Sequence, residues 1–74
     1  VRPSKLRAGD SVMYTTFGGV ERRAVFVSRE PARGKFRPAV NVLRFPDFAG
    51  QDGPDDNGIC TVSDYDLSRR GRYE

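Results

Sequence analysis

The 74-residue chain has no histidine and a single cysteine, Cys60. Each shortage closes off a class of function. A lone cysteine excludes an internal disulfide framework, and without histidine the usual Cys/His zinc site cannot be assembled within one chain. Cys60 stands in the apolar run Ile59-Cys60-Thr61-Val62, so it reads as a small buried hydrophobe and not as a reactive thiol. The usual base and the usual strong nucleophile for work near pH 7 are then both missing. No apolar stretch approaches the roughly 18 residues of a membrane span, and Val1-Arg2-Pro3-Ser4-Lys5 does not lead into the apolar core of a signal peptide. A non-enzyme is expected, soluble and cytoplasmic, with no membrane contact, no metal and no cofactor.

What is present describes a small domain with a thin core. A chain of this length buries only about 60% of the surface its unfolded form exposes. Its 36% hydrophobic and 31% charged residues lie on the polar side of globular composition, yet the aromatic and β-branched residues cluster too strongly for disorder. Self-association is expected to help such a domain, so a homo-oligomer is the expected state.

Residues 1–8 carry Pro3 and several charges without apolar periodicity and read as an N-terminal arm. Residues 9–68 read as one β domain, and residues 69–74 as a solvated basic tail. Within the domain, Ser11 to Thr16 is rich in β-formers and stops at Phe17-Gly18-Gly19, a hairpin turn without the downstream residues of a phosphate loop. Val20 to Ser28 reads as a long, bent strand. Arg29 to Pro38 is bracketed by Pro31 and Pro38 and must be a loop, because proline cannot donate to a ladder. Ala39 to Phe45 is a third strand closed by Pro46. Asp47 to Gly58 is a long polar connection, Ile59 to Ser63 a fourth strand, and Asp64 to Ser68 a single helical turn capped by Ser63 or Asp64. The expected fold class is all-β, a small barrel of four to five short strands with one helical turn near the C-terminus. Its inward series would be Val12, Tyr14, Ala24, Phe26, Val40, Val42, Ile59 and Val62.

The order Gly9-Asp10-Ser11-Val12, strand, Gly-Gly turn, Ala24-Val25-Phe26-Val27, loop, strand, loop, strand, short turn resembles small SH3-like β-barrels over residues 9–67. Val40-Asn41-Val42-Leu43-Arg44-Phe45-Pro46-Asp47 with its following glycine turn is similar to short barrel proteins of tailed phages. The resemblance implies a barrel fold and no particular activity.

The strongest functional signal is the basic loop holding Arg29, Arg33, Lys35, Phe36 and Arg37, where four cations surround a ring on which a nucleobase can stack. Arg22, Arg23 and Arg44 would extend the patch if they shared its face. Three readings stand side by side: solubility charges on an exposed hairpin, contact with nucleic acid or another polyanion, and contact with an acidic protein. The acidic stretch from Asp47 to Asp56 would repel phosphate if it lay beside this loop, or meet the basic loop of a second copy. Asp52, Asp55 and Asp56 lack the alternation of an EF-hand and read as a solvated turn. Leu43 and Phe45 fall on the outer face of the third strand in this reading, next to Phe48, forming an apolar patch for self-association; the rival reading has the Asp47 to Gly58 loop fold back over Phe45 and Phe48. The function expected first is a binding module attaching to a protein partner of host or virion, as a phage or mobile-element accessory protein. Direct nucleic-acid binding comes second, and an enzyme whose site is shared between copies third.

Overall fold

The computed structural model describes residues 1–50, 53 and 57–74. The carboxylates weighed for a cation, Asp52, Asp55 and Asp56, lie outside the described residues. Five strands form one antiparallel sheet: β1 (Ser11–Thr15), β2 (Glu21–Glu30), β3 (Val40–Arg44), β4 (Ile59–Ser63) and β5 (Gly71–Tyr73), with one helix, α1 (Asp64–Arg70), between the last two. The strand order is β4-β3-β2-β1-β5. The first four strands therefore make a meander, and β5 returns to the free side of β1. The ladder is open, with β4 and β5 as its edges and α1 as the link between them. The chain is mostly β, as its composition implies. No helix among the described residues is long and apolar enough to cross a membrane.

The bend expected in the second strand has a specific cause. Phe26 pairs with Leu43 and Ser28 with Val42, so Val27 is a surplus residue in the ladder, a β-bulge. Ala24 and Phe26 face the core before it, and Val27 is pushed out to 37% exposure. β2 also runs two residues beyond Ser28, so Arg29 and Glu30 belong to the sheet.

The core consists of Leu6, Val12, Tyr14, Ala24, Phe26, Leu43, Phe45 and Leu67, with Val1, Phe48 and Val62 packed against it. This corrects the face assigned to β3. Asn41, Leu43 and Phe45 point inward, whereas Val40 and Val42 are only half-buried. A strand has a period of two, so treating polar Asn41 as solvent-facing turns every side chain of the strand the wrong way. Asn41 tolerates burial because its Nδ2 donates to the Val62 carbonyl at 3.3 Å and to Asp64 Oδ1 at 2.8 Å. Leu43 is wholly buried and Phe45 only 3% exposed. The self-association patch drawn from Leu43, Phe45 and Phe48 therefore does not exist, since two of its members are core and Phe48 packs against them. Phe45 meets Tyr14 edge-on with ring centroids 5.8 Å apart, and Phe48 at 5.4 Å.

Gly58 locks that corner. Its φ is +74° and a Cβ there would lie 2.3 Å from the Phe45 carbonyl oxygen, so only glycine fits. Its own carbonyl accepts from the Phe45 N–H at 2.8 Å.

Both chain ends belong to the fold. A 3-10 turn at Pro3–Lys5 delivers Leu6 into the core, and the Val1 ammonium donates to the Gly71 carbonyl at 3.1 Å. The segment read as a basic tail supplies the last residues of α1 and then β5, which pairs Gly71 with Tyr14 and Tyr73 with Val12. Ser63 caps α1 by accepting from the Asp66 N–H at 3.1 Å. Cys60 is exposed, contrary to its apolar setting. It faces the core side, opposite buried Leu43, but it stands on an edge strand that no further strand covers among the described residues.

Candidate binding hairpin

The β2–β3 connection is a second, smaller hairpin built on the end of the first. The main ladder ends at Glu30 opposite Val40. Beyond it, Pro31 and Pro38 interrupt pairing because they carry no N–H. Pairing resumes in a single bridge, where the Arg33 N–H donates to the Arg37 carbonyl at 2.8 Å. Gly34, at φ +68°, turns the tip. Phe36 projects from that tip with 94% of its surface exposed.

The bridge makes Arg33 and Arg37 direct cross-strand neighbours, and like charges so placed repel. Lys35 lies between them in sequence. Among the described residues none of these three cations has an ion pair. A cavity of about 400 Å³ opens beside them. Pro31, Phe36, Pro38 and Val40 give its lining apolar surface, and Glu30, Arg33 and Arg37 complete it. The hairpin thus offers three cations without ion pairs among the described residues, an unburied ring, and a recess of mixed polar and apolar lining.

The other basic residues are sorted away from this site. Arg29 lies in β2 on the core side, where it grips Asp64 with Nε to Oδ1 at 3.2 Å and Nη2 to Oδ2 at 2.7 Å. It is a structural residue and leaves the candidate site. The hydrogen bonds from Arg29, ahead of that from Asn41, hold the Asp64 carboxyl below the usual carboxylate range, against the opposing effect of partial burial. Arg22 pairs with Asp47 at 3.9 Å and lies over the Phe48 ring, and Arg23 pairs with Glu74. Arg72 forks onto Glu21 at 3.1 and 2.7 Å. Arg69 stacks on Tyr65, and Arg70 stacks on Phe17 while donating to the Thr15 and Thr16 carbonyls. Arg22, Arg23 and Arg44 do not extend the hairpin patch. Arg44 ends β3, four residues from Val40, or about 13 Å at the usual rise per residue.

Asp47 follows the far end of β3, so the acidic stretch leaves the sheet at the opposite end from Arg33, Lys35 and Arg37. Among the described residues no cluster of carboxylate and thiol groups is arranged to hold a metal ion. Glu30 and the two prolines are parts of the site that the residue pattern did not single out. The prolines were visible as ladder-breakers, and their second use as walls depends on the hairpin closing.

No protein-family model, no curated protein and no solved structure matches the chain. Its functional reading rests on the chemistry of the hairpin.

Proposed function

We propose that the chain is a non-enzymatic binding module that holds single-stranded nucleic acid on its β2–β3 hairpin. The observation that carries this reading is the bridge between Arg33 and Arg37, two guanidinium-bearing residues set opposite each other and without an ion pair among the described residues, beside an almost fully exposed Phe36. A guanidinium binds phosphate oxygens in a planar fork, and Lys35 adds a third cation. A protruding phenyl ring stacks on an unpaired base but finds no free base face in a duplex, which favours single strands. Asp47, the first carboxylate of the acidic connection, follows the end of β3 remote from the hairpin.

A protein partner with an acidic segment is the second reading. The Pro31, Pro38 and Val40 walls of the recess favour it, because they suit an aliphatic side chain as well as a base. Either partner suits a small accessory protein of a phage or mobile element acting in the host cytoplasm. Fluorescence anisotropy of a labelled single-stranded oligonucleotide at two salt concentrations separates the readings. Three phosphate contacts should give a slope of log affinity against log salt of about −2. Absence of binding at low salt, with an acidic peptide binding instead, would replace the first reading by the second.

A further inference from the structure

The two edges of the sheet are defended unequally. β5 has three residues, and its Arg72 is engaged with Glu21 while the adjoining Glu74 is engaged with Arg23. Shortness and charge are the usual means by which an edge avoids pairing with another chain. β4 has neither. Its five residues, Ile59-Cys60-Thr61-Val62-Ser63, contain no charge, proline or glycine, and three of them are β-branched. Ile59, Cys60 and Thr61 are all exposed. Cys60 lies on the core side of the sheet, opposite buried Leu43, so the apolar inner face runs out to this edge uncovered.

We propose that two copies of the chain pair along their β4 edges, antiparallel about a twofold axis at Thr61, and so form a dimer. Self-complementarity identifies a second copy as the occupant. With Thr61 opposite the partner's Thr61, Cys60 meets the partner's Val62 and Ile59 meets the partner's Ser63. No charge faces a like charge, Thr-Thr is a favourable cross-strand pair, and the inner-face row of Cys60 and Val62 continues from one copy into the next. An isologous contact of this kind closes at two copies. Pairing of β4 with a partner's β5 would be heterologous and would propagate. It would also have to use the shorter, charged edge. The ladder is only five residues long, so the dimer is weak and concentration-dependent.

Sedimentation equilibrium of the whole chain and two variants tests the pairing. Thr61→Lys and Thr61→Asp each place like charges opposite one another on the axis while changing only an exposed side chain. The wild-type chain should approach twice its 8.3 kDa mass at high micromolar concentration, and each variant alone should stay at the monomer mass while keeping a cooperative melting transition. An equimolar mixture of the two variants should recover the doubled mass, because Lys then faces Asp. A wild-type chain that stays monomeric, single variants that still dimerise, a mixture that stays monomeric, or a mass above the dimer would each overturn the proposal.

Discussion

Arg29 and Arg33 are four residues apart in the most basic stretch of the chain, and the structure gives them opposite employment. Arg29 is on a strand, forked onto Asp64 and adjoining the Asn41 amide, and it ties β2 to the start of α1. Arg33 is on the hairpin, faces Arg37, and makes no ion pair among the described residues. The difference teaches that a count of cations in a segment is a poor guide to a binding surface. The partner of each cation decides whether its charge is spent inside the fold or presented to another molecule.

The largest test of that contrast is charge reversal on the hairpin. Arg33→Glu with Lys35→Glu removes two charge-assisted contacts, each worth about 1.5–3 kcal/mol, so oligonucleotide affinity should fall by on the order of a hundredfold or more. The melting temperature should hold or rise slightly, because the Arg33–Arg37 repulsion is relieved. Next comes Phe36→Ala, which removes a stacking platform worth about 1–3 kcal/mol per base. Affinity should drop about tenfold with the salt slope unchanged, and retention of full affinity would take the ring out of the site. Arg29→Ala should behave in the reverse way, lowering the melting temperature while leaving oligonucleotide binding as it was. A loss of binding without a loss of stability in that variant would return Arg29 to the functional surface.

The smallest effect is on acid sensitivity. Asp64 titrates lower in the folded chain than in the unfolded one, chiefly because of its hydrogen bonds from Arg29. As the pH falls through the ordinary carboxylate range the unfolded state takes up its proton first. The stability that Asp64 contributes is therefore intact above that range and is lost as the pH drops toward the lowered folded value. Melting curves from neutral to acidic pH should show a shallower decline for Arg29→Ala than for the wild-type chain. Parallel declines would mean that other carboxylates dominate the acid transition.

The parts of the fold legible in the sequence were those with sharp punctuation. β4 runs from Ile59 to Ser63 as read, because Gly58 ends one side and Ser63 caps the helix on the other. The turn at Asp64 was visible for the same reason, although the helix continues to Arg70. The inverted face of β3 came from Asn41, whose burial depends on a carboxylate 23 residues away, a distance over which no local pattern reports. Leu6 and Tyr73 are single apolar residues in polar surroundings and carry no periodicity, so their segments looked like an arm and a tail. At the site, Phe36 and its neighbouring cations stood out through composition alone. Removing Arg29 from them required knowing that Asp64, 35 residues on, lies against it.

The surplus residue at Val27 acts as a counting device. Before it, even-numbered residues of β2 face the core, and after it the odd-numbered Arg29 does, on the same side as Asn41. Deleting Val27 would make the ladder regular and still leave Arg29 opposite Asn41, so this is a point in β2 where the strand can lose a residue and keep its facing pattern. Bulges add local twist, however, and the straightened strand would send the hairpin off at a different angle. The chemistry of the tip and the direction in which it is aimed are therefore set by different residues, and a one-residue deletion can re-aim Arg33, Lys35, Phe36 and Arg37 without altering any of them.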